Sequence, residues 1–487
     1  MAYRVGISNL GFHFLFGGLR KSRKLHVERF FSDISPVTLE TGSRLASKAV
    51  LFISISYEED YINLVRILHE SGIPPLRENR GGHPLVIAGG PAVSANPFPL
   101  SEIADAIALG EGEGTLEAII GVLEDEPGAA PVEILKSFLR IPGMYVPGFS
   151  REGAGFKGSA APARFPRSVV ITPESIFPLT LLVESGRGCP GACAFCLATS
   201  IYRPFRFMPA AAFEQLLASL PVPVERIGLV STAVAANPDF PAIVELLTSR
   251  GISISFSSLR AEDIDDETAR FIGATGATSV SLAPESGSER IRFALGKRVP
   301  DDVYFHAAAK LREGGVSRFT LYLLSGCPGE TESTVVETKA FMERFKVAVG
   351  GRSFSVHVNP LVPKAWTPLQ FWAMPGEREL ADRQEKIARA LRMLGLAVQT
   401  KSVRSAIRQA LFSTGDERIG RAIVNHIEGG LSWKKALAEA AVNARFPHET
   451  KGPETSFPWD SISGPVSRGT LFKRFEGIEE GAPFGAA

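Results

Sequence analysis

Three of the four cysteines in the chain lie within eight residues of one another. Cys189, Cys193 and Cys196 have the spacing CxxxCxxC in the segment Gly-Arg-Gly-Cys-Pro-Gly-Ala-Cys-Ala-Phe-Cys, whereas Cys327 stands alone. Three thiolates this close together can bind three irons of a cubane iron–sulfur cluster and leave its fourth iron without a protein ligand. An open coordination position of this kind lets a catalytic metal bind a small molecule.

A zinc site, a disulfide or an electron-transfer cluster at these cysteines has less support in the residues. Zinc prefers four ligands, often as paired CxxC or Cys/His knuckles, and the first histidine after the cluster is His306. A disulfide beside a free thiol is unusual in a cytoplasmic chain. An electron-transfer cluster normally takes a fourth cysteine, for which Cys327 is the candidate. A cluster with three protein ligands is therefore the leading hypothesis.

The composition indicates an ordinary globular protein. The chain has 487 residues, of which 45% are hydrophobic and 22% charged, and its formal net charge is +1. A chain of this length exceeds a single core and divides into several domains. The near-neutral charge does not indicate nucleic acid or an anionic membrane as a partner. No run approaches the ~20 apolar residues that span a bilayer, and we expect a cytoplasmic location.

The first 150 residues alternate short strands and helices. Strands are predicted at 3–8, 48–55, 85–88 and 106–109, and the last two end in glycine-rich turns. This alternation predicts a Rossmann-like, doubly wound α/β domain over residues 1–150. The glycines serve tight turns or cradle a phosphate, although the dinucleotide pattern GxGxxG is not satisfied in the required context.

A second α/β region follows a linker rich in glycine, alanine and proline at residues 151–176. Six strands are predicted at 179–184, 226–231, 253–257, 279–283, 318–324 and 353–358, with helices between them. This order predicts a partial (β/α)6 TIM-type barrel over residues 177–375, with functional groups at the C-terminal strand ends. Residues 376–487 are predicted as charged, alanine- and leucine-rich helices followed by an irregular tail. The predicted fold class is α/β with a helical C-terminal region.

The cysteine segment resembles the signature of the radical SAM superfamily. That signature is CxxxCxxC at the end of a first barrel strand, with an aromatic residue, here Phe195, before the last cysteine. The resemblance implies that Cys189, Cys193 and Cys196 bind a 4Fe–4S cluster whose open iron chelates S-adenosylmethionine. It also implies reductive cleavage of a carbon–sulfur bond to a 5′-deoxyadenosyl radical, chemistry that belongs to the cofactor.

Later strand ends are similar to further elements of the family. Ser231 takes the place of a motif that holds the methionine amino group. Glu285 and Ser286 resemble an element that binds ribose hydroxyls or methionine, although a serine here also suits a helix cap. Gly326 lies in a segment similar to the loop beside adenine. Arg206 follows the cluster loop and is expected to pair with the carboxylate of S-adenosylmethionine or a substrate anion, or else to be solvent-exposed.

The N-terminal domain resembles that of radical SAM proteins with a cobalamin-binding-type Rossmann domain. Cobalamin domains commonly ligate cobalt through the histidine of a DxHxxG motif, which this chain lacks. Either cobalamin binds without a histidine, or the domain is a scaffold or substrate platform, and both alternatives stay open. Methylthiotransferases carry three more cysteines in this domain. The absence of any cysteine before Cys189 argues against that activity.

Together these features predict a radical SAM enzyme whose catalytic residues and substrate are unassigned. Cobalamin-assisted methyl transfer is one version of its reaction. A non-catalytic iron–sulfur protein for electron transfer or sensing is the alternative. The resemblance implies an external electron donor, such as flavodoxin or ferredoxin, as a partner.

Overall fold

The computed structural model describes residues 1–34, 36–82, 84–150, 155 and 165–479. Half of the linker predicted over residues 151–176 lies outside the described residues. Within the described part of the chain, no helix combines the length and the apolarity that crossing a bilayer requires. The division of the chain at residues 150, 176 and 375 stays a prediction.

The N-terminal unit is built on a four-stranded sheet with the strand order β1-β2-β3-β4. The first three strands are parallel and the fourth is antiparallel. The strands are β1 (Val50–Ser54), β2 (Leu85–Gly89), β3 (Ala106–Ala108) and β4 (Met144–Tyr145). The helices are α1 (Tyr3–Gly6), α2 (Leu10–Leu19), α3 (Asp60–Glu70), α4 (Pro91–Ala95), α5 (Thr115–Asp125) and α6 (Pro131–Phe138). Three of the four strands predicted in this unit are confirmed.

The strand predicted at residues 3–8 is wrong, because this segment forms α1 and leads into α2. The side chain of Asn9 caps α2 by accepting a hydrogen bond from the Phe12 backbone N–H at 3.0 Å. A short apolar run has no periodicity that separates a strand from a buried helix, and the first backbone N–H of α1, that of Tyr3, takes its partner from the distant Asp33, whose Oδ1 accepts it at 2.7 Å. Among the described residues, β1 therefore has a strand neighbour on one side only, β2.

The barrel wall consists of parallel strands in chain order. The sheets β5-β8-β9 and β10-β11-β12-β13 meet at an isolated bridge between Leu259 and Leu282. The strands of the wall are β5 (Leu181–Glu184), β8 (Arg226–Val230), β9 (Ser253–Phe256), β10 (Ser279–Glu285), β11 (Arg318–Ser325), β12 (Ser355–Pro360) and β13 (Ala397–Thr400). A separate antiparallel pair, β6 (Gly186–Arg187) and β7 (Arg206–Phe207), lies between β5 and β8 in the chain. All six predicted barrel strands are confirmed. A seventh, β13, extends the wall past residue 375 by pairing with β12.

Helices alternate with these strands and continue beyond them. They are α7 (Ala198–Ile201), α8 (Ala210–Ala218), α9 (Phe240–Ser249), α10 (Asp266–Ala274), α11 (Glu289–Ala294), α12 (Asp301–Glu313), α13 (Glu332–Ala348), α14 (Glu377–Arg392), α15 (Val403–Thr414), α16 (Arg418–Ile427), α17 (Trp433–Glu439) and α18 (Arg468–Glu479). The predicted C-terminal helices are confirmed.

The C-terminal helices join the N-terminal unit to the barrel. Helix α16 packs on α3, and the guanidinium of Arg408 in α15 is ion-paired with Glu59. One continuous apolar core contains Leu64 of the N-terminal unit, Ala194 of the cysteine loop and Trp459 of the tail. A second core fills the barrel between its strands and helices. The cysteine loop is therefore held between the two units.

Candidate functional site

The cysteine loop begins where the first barrel strand ends. After β5 the chain forms β6, which pairs antiparallel with β7, and the loop then leads into α7. Gly188, directly before Cys189, has a φ of +84°, and a Cβ there would lie 2.2 Å from the Tyr202 carbonyl oxygen. Only glycine fits this position, because it combines a left-handed backbone with a close backbone approach. This glycine thus sets the direction in which the loop leaves the strand.

The three thiols of this loop are half-buried. The backbone N–H of Gly191 donates to Cys189 Sγ at 3.4 Å, and Thr199 Oγ1 donates to the Cys196 carbonyl at 2.8 Å. Burial raises the pKa of Cys193 to about 12, and the Lys297 ammonium acts in the opposite direction. A thiol in this setting becomes a thiolate when a metal takes the place of its proton.

The donor set fits an iron–sulfur cluster. In the described part of the chain, no three His, Cys, Asp or Glu side chains are gathered as ligands of one metal ion. Three thiols on one loop with the spacing CxxxCxxC suit irons at different corners of a cubane cluster. Cys189, Cys193 and Cys196 are therefore the residues that would hold such a cluster.

Cys327 is separate from this group. It lies in the loop after β11, is 1% exposed, and its backbone N–H donates to Glu330 Oε2 at 3.1 Å. Burial raises the pKa of its thiol well above the usual value. Its neighbour Gly326 has a φ of +77° and also donates its N–H to Glu330. The loop is thus shaped by the Glu330 carboxylate.

Glu285 and Ser286 lie at the C-terminal end of β10. Glu285 has a φ of +65°, and its carboxylate is 3.2 Å from Lys297 Nζ. Burial lowers the pKa of Lys297, but Glu285 together with other nearby acidic groups outweighs burial and the pKa is raised, so the ammonium stays charged. Ser286 Oγ accepts from the Ser288 N–H at 3.1 Å, and Ser288 caps α11. A contact of Glu285 or Ser286 with S-adenosylmethionine stays a prediction.

Ser231 and its neighbour Thr232 lie against the base of the cysteine loop. Ser231 Oγ accepts from the Ala233 N–H at 3.2 Å, and a Cβ at Gly186 would lie 2.8 Å from that oxygen. Thr232 Oγ1 donates to the Gly188 carbonyl. The second barrel strand therefore supports the loop that carries the cysteines. This role of Thr232 was not predicted from the sequence.

Arg206 and Arg187 form an ion-pair network with glutamates of the N-terminal unit. Arg206 Nη1 is 3.1 Å from Glu111 Oε2, and Arg187 Nη2 is 2.7 Å from Glu113 Oε1. Arg187 Nη2 is also 2.7 Å from Glu184 Oε2. Burial lowers the pKa of Arg187, but the hydrogen bonds that it donates to the Glu184 and Glu113 carboxylates, together with their charges, outweigh burial and the pKa is raised. We predicted Arg206 as a ligand of an anion, and the structure places its guanidinium on Glu111.

A cavity of about 540 Å³ lies between the two units. From the N-terminal unit it is lined by strand-end residues such as Ser54, Gly89 and Ala108, and from the barrel by Arg187 and Ser231. The C-terminal strand ends of both parallel sheets thus face one space, which is where α/β proteins bind their ligands. Gly188 lines the same cavity directly before Cys189.

The described residues around this cavity offer cobalt no imidazole. None of the lining residues is a histidine. His13, in the nearby α2, has Nε2 2.8 Å from the Ile7 carbonyl oxygen, and its Nδ1 accepts from the Val169 N–H at 3.3 Å. Because the backbone occupies both ring nitrogens, His13 is not placed as a metal ligand. The donor set does not fit a histidine-ligated cobalamin.

Two family models match the chain. The model for the N-terminal region of radical SAM proteins matches residues 11–147, and the model for the radical SAM superfamily matches residues 183–342. The second match contains the three cysteines of the loop. The two matched regions therefore correspond to the two units on either side of the cavity.

Curated relatives include an archaeal and a bacterial protein. An uncharacterized protein of Methanocaldococcus jannaschii is 29% identical over 426 residues, which cover 86% of this chain and 88% of the relative. A tRNA-2-methylthio-N(6)-dimethylallyladenosine synthase of Citrifermentans bemidjiense is 25% identical over 259 residues, which cover 50% of this chain and 58% of that protein. The chain thus matches little more than half the length of the bacterial relative.

Solved structures of two enzymes resemble the chain. TsrM, a radical S-adenosylmethionine methyltransferase from Kitasatospora setae, has a TM-score of 0.44 at 14% identity, over 64% of this chain and 62% of that chain. OxsB, a cobalamin-dependent S-adenosylmethionine radical enzyme, has a TM-score of 0.49 at 16% identity, over 71% of this chain and 53% of that chain. Similarity at this level is a likeness of fold alone.

Proposed function

The chain belongs to the radical SAM superfamily, and on that premise we propose that it reductively cleaves S-adenosylmethionine at a 4Fe–4S cluster held by Cys189, Cys193 and Cys196. The observation that carries the proposal is the position of these thiols. They lie on one half-buried loop at the first barrel strand end, whereas Cys327 is buried at another strand end. Three protein thiolates leave one iron of a cubane cluster open.

A bound 4Fe–4S cluster supplies the electron that cleaves S-adenosylmethionine to methionine and a 5′-deoxyadenosyl radical. The residues of this chain position the site. Thr232 and Gly188 hold the base of the cysteine loop, and Arg187 ties it to Glu113 across the cavity. Ser231 lines the cavity, and we expect it to contact S-adenosylmethionine.

Three further residues are proposed as contacts of S-adenosylmethionine at later strand ends. Glu285 and Ser286 follow β10, and Gly326 follows β11. Since the carboxyl ends of barrel strands share one face, these positions can surround a molecule seated on the cysteine loop. We propose that Arg206 pairs with the carboxylate of S-adenosylmethionine, or with a substrate anion, only after it releases Glu111. Glu111 is the partner of Arg206 in this structure.

An external protein is proposed as the electron donor. The exposed residues Pro190 and Ala192 bring the cysteine loop to the surface, where a reduced flavodoxin or ferredoxin can approach. We propose a cytoplasmic setting, because its reducing conditions keep unpaired cysteines available as cluster ligands.

Methyl transfer assisted by cobalamin is the second candidate. The observation in its favour is a cavity placed between a Rossmann-like sheet and the cysteine loop. Since both nitrogens of His13 are occupied, cobalt here would carry no imidazole from the described residues. The visible spectrum of the anaerobic protein with added hydroxocobalamin tests this version. A bound corrinoid that survives gel filtration supports it, and complete loss of the corrinoid contradicts it.

Reconstitution with iron and sulfide tests the cluster itself. We expect about four irons per chain and a broad absorbance that dithionite bleaches. Cys193→Ala should lose the cluster, and Cys327→Ala is the matched control that should keep it. Loss of the cluster in both variants would instead favour a four-cysteine electron-transfer cluster, which is the non-catalytic alternative.

A further inference from the structure

The free edge of β1 lines a second cavity in the N-terminal unit. This cavity measures about 400 Å³ and touches all six consecutive residues from 50 to 55. Successive side chains of a strand point to opposite faces of its sheet. A cavity that contacts every residue in such a run therefore lies along the edge of the strand and not over one face.

The backbone of β1 presents unused hydrogen-bonding groups to this edge. Ala49 and Ile55 bond to β2, through the Ala49 carbonyl and the Ile55 N–H. Because ladder bonds alternate along a strand, the N–H and C=O groups of Val50, Phe52 and Ser54 point away from β2. Among the described residues, these groups have no hydrogen-bond partner. Val50, Phe52 and Ser54 are only partly buried, so a strand added at this edge can reach these groups.

The walls of the cavity are mainly apolar and lead towards the cysteine loop. Leu15 and Phe16 of α2 line it, as does Leu64 of α3. Leu15, Phe52, Ile53 and Ser54 also line the cavity that faces the barrel. The two spaces therefore meet at the C-terminal end of β1. A molecule lying along this strand would extend towards Arg187 and Gly188.

Positive charge lies beside this second cavity. Arg20, Lys21, Arg23 and Lys24 are exposed directly after α2, and Lys24 lines the cavity. Three acidic residues also line it, and each is already engaged: Glu28, Asp60 and Glu126. Glu28 is ion-paired with Lys48, Asp60 accepts a hydrogen bond from Asn63 Nδ2 at 2.9 Å, and Glu126 accepts one from Ser137 Oγ at 2.6 Å. An occupant with an apolar body and acidic flanking groups is therefore complementary in charge.

We propose that the free edge of β1 binds an extended peptide as an additional strand, and that this peptide is the substrate presented to the radical site. A peptide supplies alternating N–H and C=O groups at the spacing of a strand, whereas a hydrocarbon chain would leave Val50, Phe52 and Ser54 without partners. Apolar side chains of the peptide pack against the walls of the cavity, and acidic residues of the peptide face the exposed basic residues that follow α2. The substrate role rests on the proposed function, whereas the binding does not.

Binding is measured with a fluorescein-labelled probe peptide on the full chain after anaerobic reconstitution. The probe has two glutamates followed by alternating valine and threonine. We expect saturable anisotropy. Phe52→Pro removes an outward N–H without removing a β1–β2 bond, so it should weaken binding about tenfold. Phe52→Val also loses the ring but keeps that N–H, so it is the matched control, and the loss of binding in Phe52→Pro beyond that in Phe52→Val measures the backbone hydrogen bond.

A second measurement uses the unaltered protein, so that a folding defect in Phe52→Pro cannot hide the answer. A probe methylated on alternate backbone nitrogens should lose binding, since it cannot pair with the strand. Absence of peptide binding, or equal binding of the methylated probe, overturns the proposal. So does binding of cis-parinaric acid in place of the peptide, which would indicate a hydrocarbon occupant.

The same preparations separate this inference from the proposed function. Formation of 5′-deoxyadenosine without peptide binding overturns the peptide site alone. Peptide binding without any 5′-deoxyadenosine overturns the radical function and the substrate role, and it leaves a peptide-binding unit.

Discussion

Arg187 and Glu113 form a two-point ion pair across the junction between the barrel and the N-terminal unit. Arg187 Nη1 is 3.0 Å from Glu113 Oε2, and Arg187 Nη2 is 2.7 Å from Glu113 Oε1. Paired hydrogen bonds of this kind fix both distance and orientation. Because Arg187 stands two residues before Cys189, the N-terminal unit helps to set the position of the cysteine loop.

Glu113→Gln should weaken this junction. Arg187 keeps Glu184 and Glu111 as partners, so we expect a loss of about 1–3 kcal/mol of stability rather than unfolding. Thermal unfolding of the reconstituted protein measures the change. Glu133→Gln, which breaks an exposed pair with Lys136 in the same unit, is the control and should shift the midpoint little. Equal shifts in both variants would show that the pair contributes nothing beyond an exposed one.

Gly188→Ala should prevent cluster binding. A Cβ at this position would meet the Tyr202 carbonyl oxygen at 2.2 Å, in addition to the strain of a φ of +84°. Gly251→Ala has comparable strain, with a φ of +69°, but no neighbour within 4 Å. Iron content after reconstitution should therefore fall in Gly188→Ala and stay unchanged in Gly251→Ala. Full iron content in Gly188→Ala would contradict the close approach.

Lys297→Met should destabilise the protein by leaving the Glu285 carboxylate buried without its partner. Loss of one member of a buried pair costs about 3–5 kcal/mol. The double variant Lys297→Met/Glu285→Gln removes the uncompensated charge and should recover most of that stability. If Glu285 contacts S-adenosylmethionine, the double variant should still bind it more weakly than the wild type. Chemical denaturation and equilibrium dialysis measure the two effects, and normal affinity in the double variant would remove Glu285 from the site.

Lys451 should make stability depend on pH. Burial lowers its pKa from 10.5 to about 8 in the folded protein. The unfolded chain therefore binds more protons between pH 8 and 10.5, and the contribution of this group to stability rises with pH across that window. Lys451→Met should lack this rise. The free energy of unfolding of both proteins is compared at pH 7.5 and pH 10, and parallel pH profiles would contradict the assignment.

The sequence was most informative where residues act through local spacing. The cysteine loop at the first strand end and the barrel strands could be predicted, because strand period, turn glycines and ligand spacing are local properties of the sequence. The partners of Arg206 and Arg187 could not, because Glu111 and Glu113 lie 95 and 74 residues away in the chain. The N-terminal strand was wrong because a short apolar run does not distinguish a strand from a helix, and the Asp33 carboxylate that accepts from the first N–H of α1 lies 30 residues away. The free edge of β1 is a consequence of that same change.

Formation of 5′-deoxyadenosine tests the central claim most directly. Anaerobically reconstituted protein is incubated with S-adenosylmethionine and dithionite, and the nucleoside is quantified by chromatography and mass spectrometry. The account predicts 5′-deoxyadenosine from the wild type and from Cys327→Ala, and none from Cys189→Ala, Cys193→Ala or Cys196→Ala. No 5′-deoxyadenosine from a wild-type protein with a full cluster, or equal amounts from the cysteine-loop variants, would contradict it.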